Sequence, residues 1–124
     1  MQQEYWGYHL LLDCAECDAD AIKSYDTIYK FIKQLVEDID MVAFGEPHII
    51  NFGSGNKAGY TLVQLIETSN ICAHFVNENN HMYLDVFSCK DFAPVIVISL
   101  VEQYFKAQHI NSKFIKRQAT QFKN

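Results

Sequence analysis

Apolar and polar positions alternate in short runs along this chain, and twice the alternation gives way to helical spacing. Trp6 to Asp13 (WGYHLLLD) reads as a first strand. Cys14 to Asp20 is polar and turn-like, and Asp18 or Asp20 is placed to cap a helix. Ile22, Tyr25, Ile28, Tyr29, Ile32, Leu35, Val36 and Ile39 recur at helical spacing. That predicts a long amphipathic helix ending near Asp40. Met41 to Phe52 reads as a second strand, bent or interrupted by Gly45 and Pro47. Residues 53–59 (GSGNKAG) form a loop by composition. Strands follow at Tyr60–Ile66, Ile71–Val76 and His81–Phe87, with residues 77–80 turning between the last two. Pro94 sits in the first turn of a second helix, where proline is tolerated. Its stripe is Val95, Ile98, Val101, Tyr104 and Phe105. Ile110–Arg117 reads as a closing strand, and the tail to Asn124 is expected to fray.

The order β-α-β-β-β-β-α-β predicts an α+β, two-layer sandwich: a mostly antiparallel sheet with two helices on one face. The central strands carry apolar residues at both parities, Leu62 and Ile66 beside Val63 and Leu65. Both sheet faces therefore want cover. Two helices cover one face, so the other is expected to meet a second copy of the chain, as a homodimer.

Composition narrows the function classes. A chain of 124 residues suits a single domain, residues 1–124. At 49% apolar and 14% aromatic it has enough material for a core. The formal net charge is −5, and the longest basic run is Lys116–Arg117. Nucleic acid and anionic membrane are therefore disfavoured as partners. No leader pattern or membrane-length apolar run is visible, so a cytoplasmic location with four free cysteines is expected.

Most candidate motifs have plain readings. Cys14 and Cys17 form one CxxC without a second pair at zinc spacing, so two small residues at a strand end is the preferred reading. Gly53, Gly55 and Gly59 lack a following GK[ST], and Tyr60 opens a strand rather than a helix. His9, His48, His81 and His109 are scattered, without helical ligand spacing, and no metal site is expected. Thr68-Ser69-Asn70, taken alone, is a turn or bulge between two strands.

The longer pattern changes that reading. Gly59-Tyr60-Thr61, Thr68-Ser69-Asn70-Ile71-Cys72-Ala73-His74, Glu78 and Asp85-Val86-Phe87-Ser88-Cys89 stand at set intervals, behind an opening Gly7-Tyr8-His9-Leu10-Leu11-Leu12-Asp13. Together they resemble the bacterial and archaeal S-adenosylmethionine decarboxylases, whose pattern runs GxHLLLD, GVSG, ESHxxxHTWPE and DVFTCG. The resemblance implies a proenzyme that cuts itself between Thr68 and Ser69, in a strained turn, and converts Ser69 into a pyruvoyl cofactor. That group would take the substrate amine as a Schiff base and draw electrons as carbon dioxide leaves. Cys89 matches the proton donor; an ordinary thiol is mostly protonated at neutral pH. His74 and Thr61 match processing residues, with threonine where the family has serine. Glu78 matches the residue that holds the ribose, and Phe52 an aromatic near the adenine and sulfonium.

The chain departs from the pattern at Thr68 (glutamate in the family, although Glu67 stands one residue earlier), at Asn70 (histidine) and at Phe75-Val76-Asn77 (TWP). The cleavage residues are thus better kept than the substrate flank. The implied activity is decarboxylation of S-adenosylmethionine for spermidine synthesis. A pyruvoyl-dependent arginine or ornithine decarboxylase is one alternative. A non-processing homologue that binds ligand or regulates a partner is another, against which Ser69, His74 and Cys89 stand together.

Overall fold

Strand alternation decides which side of the sheet is buried. Tyr8, Leu10, Leu12 and Cys14 on one strand are buried, as are Leu62, Gln64 and Ile66, Ile71, Ala73 and Phe75, and Met82, Leu84, Val86 and Ser88 on others. The residues between them are half-buried or exposed. The structure is a computed structural model describing residues 3–120, so the expected fraying at 121–124 lies outside the described residues.

Among the described residues six strands form one antiparallel sheet: β1 (Gly7–Ala15), β2 (His48–Phe52), β3 (Gly59–Ile66), β4 (Ser69–Val76), β5 (His81–Ser88) and β6 (His109–Arg117). Their order across the sheet is β2-β3-β4-β5-β1-β6. The α-helices are α1 (Ala19–Ile22), α2 (Tyr25–Asp38) and α3 (Pro94–Phe105), and the loop before β3 holds one short 3-10 turn, Gly55–Lys57. This is the expected α+β sandwich, with one helical turn added at α1.

That extra turn divides the long helix read from the sequence. Asp18 caps α1, accepting from the Ala21 N–H at 2.9 Å. Ser24 then caps α2, accepting from the Thr27 N–H at 3.1 Å. Ile22 keeps the apolar period because α1 buries it too. The second strand is also shorter than its apolar run. Gly45 has φ 77°, and only His48–Phe52 pairs along β3. Residues 42–44 instead lie against the far end of β3, through a single bridge from Ala43 to Ile66.

Both long helices pack on the buried sheet face. α2 contributes Ile28, Phe31, Ile32, Leu35 and Val36; α3 contributes Val97, Leu100, Val101 and Phe105. The layers meet at three rings. Phe105 packs edge-on to Phe31 at 4.9 Å and against Phe75 of β4 at 5.5 Å. Each such side chain contributes about 1.5–3 kcal/mol through burial. β4, the strand that begins at Ser69, is thereby fixed to both helices.

Among the described residues no helix lies on the other face. Ile50, Phe52, Leu65, Tyr83 and Ile115 are all exposed on it, at 42–59% of their surface. No described helix is long and apolar enough to cross a membrane.

Candidate active site

The expected site residues fall into two groups at different places on the sheet. The first group surrounds the β3–β4 hairpin. Ile66 pairs with Ser69, so Glu67 and Thr68 alone make the turn. Ser69 has φ 159°, at the border between extended backbone and the positive-φ region. The register with β5 places Ser69 opposite Ser88 and brings Cys89 next to Thr68. The Cys89 N–H donates to the Thr68 carbonyl at 2.9 Å. That carbonyl is the one that precedes Ser69. The Cys89 carbonyl in turn accepts from Gln3 Nε2 at 2.7 Å. The half-buried thiol of Cys89 is free.

The second group lines an open cleft of about 580 Å³ at the opposite end of β3 and β4. Phe52, Thr61, His74 and Glu78 all face it, with Asn56, Lys57, Tyr60, Asn79 and Tyr83. Thr61 and His74 are cross-strand partners, and Thr61 Oγ1 lies 3.3 Å from His74 Nδ1. Gly59 forms the floor. A side chain there would run into the Phe75 carbonyl, and its φ is 154°. The cleft is mixed in character: Phe52, Tyr60 and Tyr83 offer rings, Glu78 a carboxylate, Lys57 an ammonium. It suits a small ligand with an aromatic part and hydroxyls.

His74 and Ser69 do not meet within one chain. They are five residues apart on one strand, about 16 Å of extended backbone. Ile71, Ala73 and Phe75 point to the buried face, and His74 is exposed on the open one. Thr68, Ser69 and Cys89 thus form one cluster, and Phe52, Thr61, His74 and Glu78 another.

Cys14 and Cys17 are buried, whereas Cys72 is half-buried like Cys89. Burial raises Cys14 to about 12, with the nearby Cys17 and Asp13 adding to it, and raises Cys17 to about 11. Cys72 is raised by burial, then by Asp85. All four thiols are free. Among the described residues no group of three or more His, Cys, Asp or Glu is placed to hold one metal ion. Sequence reasoning passed over Tyr60, Asn79 and Tyr83 in the cleft, and Ser88 beside the turn. The loop 53–59 was the signal for the cleft; Ser88 stands within the Asp85–Cys89 motif, but nothing local gave it a role.

Fold and site together define a two-layer α+β sandwich with an open cleft and a serine at a tight hairpin turn. Residues 8–118 match the family model described as S-adenosylmethionine decarboxylase. The chain belongs to that family, whose members are carboxy-lyases. Among similar proteins is the S-adenosylmethionine decarboxylase proenzyme of Clostridium botulinum strain Hall, 24% identical over 115 residues, which are 92% of this chain and 96% of that protein. The proenzyme of the Loch Maree strain is 26% identical over 86 residues, 69% of this chain and 71% of the relative. The crystal structure of the adenosylmethionine decarboxylase from Aquifex aeolicus has the same fold, with a TM-score of 0.79, 22% identity and 98% of each chain covered.

Proposed function

We propose that this chain is a self-cleaving, single-domain cytoplasmic proenzyme that decarboxylates S-adenosylmethionine, supplying aminopropyl groups for spermidine. The observation that supports this most is the 2.9 Å bond from the Cys89 N–H to the Thr68 carbonyl. A donor aimed at that oxygen polarises the carbonyl and stabilises charge that develops on it.

In the first step the Ser69 Oγ attacks the Thr68 carbonyl carbon. The C–O bond forms, the C–N bond breaks, and the nitrogen takes the hydroxyl proton. A base then removes the Ser69 α-proton, and the Cβ–Oγ bond breaks to leave Thr68 as a carboxylate. Addition of water and loss of ammonia leave a pyruvoyl group at position 69. Ser69 fits this role, since it follows a two-residue turn and a held carbonyl. Once formed, that group supplies an electrophilic carbonyl that takes the substrate amine and accepts the electron pair left by carbon dioxide. The Cys89 thiol, beside the turn, then delivers a proton to carbon.

The cleft takes the other half of the substrate. Glu78 accepts hydrogen bonds from ribose hydroxyls, and Phe52 offers a ring face to the adenine and the positive sulfur. His74, oriented by Thr61, acts in processing. Because the two clusters lie apart in one chain, we assign the working unit as a homodimer joined through the open face. A second copy there would cover Ile50, Phe52, Leu65, Tyr83 and Ile115, which one copy leaves exposed. It would also let the cleft of one copy approach the Thr68–Cys89 end of the other.

The test is release of labelled carbon dioxide from carboxyl-labelled S-adenosylmethionine, arginine and ornithine. Turnover of S-adenosylmethionine alone is expected. Turnover of a basic amino acid instead would overturn the substrate assignment, and a cleaved protein inert to all three would overturn the activity.

A further inference from the structure

We infer that Ser88 is a positioning residue for self-cleavage, holding the Thr68 side chain so that the Thr68 carbonyl faces its donor. This inference rests on cleavage between Thr68 and Ser69. Ser88 and Gln64 are the buried polar residues among those described, and Ser88 is 0% exposed. A buried hydroxyl is costly unless bonded, and this one is bonded on both sides. It accepts from the Lys90 N–H at 3.0 Å and donates to Thr68 Oγ1 at 2.7 Å. Met41 Sδ lies 3.3 Å from Thr68 Oγ1 and 3.6 Å from Ser88 Oγ, within reach of a proton from either hydroxyl. The Lys90 amide, the two hydroxyls and the Met41 sulfur thus form one connected network around the turn, in which neighbouring bonds strengthen one another.

The consequence is two fixed points on one residue. Ser88 holds the Thr68 side chain, and Cys89, next along the chain, holds the Thr68 carbonyl. Together they set the plane of the peptide that Ser69 would attack. The turn does not set it unaided. Two-residue hairpin turns favour positive φ at their central residues, which matches the twist of the strands. Neither Glu67 nor Thr68 has positive φ. The clamp is itself anchored: Lys90 Nζ bonds the Asp40 carbonyl and carboxylate at 2.7 and 2.9 Å, and Gln3 holds Cys89.

The test follows fragment release during cell-free synthesis, where the chain is uncut at time zero. Ser88→Ala should cleave roughly tenfold more slowly or worse, as expected for a misplaced reacting group. Ser88→Thr keeps the hydroxyl and should restore the rate. Thr68→Val, at a less buried position, should slow cleavage likewise, and the double variant should be no slower than the slower single one. Hydroxylamine, which cuts esters, should not rescue Ser88→Ala, because the defect precedes the ester. A wild-type rate in Ser88→Ala, no recovery in Ser88→Thr, or a burst of fragments on adding hydroxylamine would each overturn the inference. Met41→Leu removes only the weak sulfur acceptor and leaves the Ser88–Thr68 bond, so it should slow cleavage less than Ser88→Ala; equal slowing would also overturn the inference. A wild-type chain that never cleaves would instead overturn the self-cleavage reading, and this inference with it.

Discussion

Replacing Thr61 by valine tests whether the cleft histidine is oriented by its cross-strand partner. The change keeps shape and removes one hydroxyl. Thr61 Oγ1 lies 3.3 Å from His74 Nδ1, the long end of hydrogen-bond range. If Nδ1 carries the proton and donates to Thr61, the lone pair of Nε2 points into the cleft as a base. Losing that bond frees the ring to turn and lets the other tautomer form. A neutral hydrogen bond contributes about 0.5–1.5 kcal/mol net, or roughly two- to twelvefold in a rate that depends on it. His74 is exposed and Thr61 half-buried, so water competes for both. The expected loss is therefore about two- to fivefold, at the low end of that range. The assay is the rate of fragment formation after cell-free synthesis at fixed pH. Thr61→Ser should restore it. A Thr61→Val chain that cleaves at the wild-type rate would refute the orienting role. So would one as slow as His74→Ala, since the bond cannot matter as much as the base.

Other outcomes follow from the same geometry. Cys89→Ala should still cut, since its backbone N–H is kept, but should lose most turnover; undiminished decarboxylation would remove the thiol from the mechanism. Gly59→Ala should destabilise the β3–β4 end by several kcal/mol, because its side chain meets the Phe75 carbonyl; an unchanged denaturation midpoint would contradict this. Cys14 and Cys17 are raised on folding to about 12 and 11, from an ordinary value of 9.0. Their neutral thiols thus contribute stability that is complete below pH 9 and is lost as pH rises towards 12. Denaturant midpoints should fall across that window, and Cys14→Ala should flatten the fall. Native protein at pH 8 should leave both thiols unlabelled by iodoacetamide, whereas half-buried Cys89 should react.

The sheet was legible because its strands alternate cleanly and because Gly, Pro and Asn mark the turns. Errors came where two signals overlapped. Ile22 fits the helical period of α2 although α1 holds it, and the Ser24 cap between them is visible only as a single serine. Met41–Phe44 is apolar like a strand, but Gly45 and Pro47 stop it from continuing into β2. In the site, spacing brought Ser69, His74, Glu78 and Cys89 to notice but not their arrangement. Parity already hinted at it, since residues 69 and 74 on one strand face opposite ways. The bond from Cys89 to Thr68 was beyond reach, because it depends on the β4–β5 register rather than on any local pattern. The Ser88 clamp was hidden for the same reason.

The intact mass of the purified protein tests the central claim most directly. The account requires two chains, residues 1–68 and residues 69–124. The second should be lighter than a serine-started fragment by one ammonia, and Ser69→Ala should give a single uncut chain. A wild-type protein that still shows one full-length mass after long incubation would contradict it.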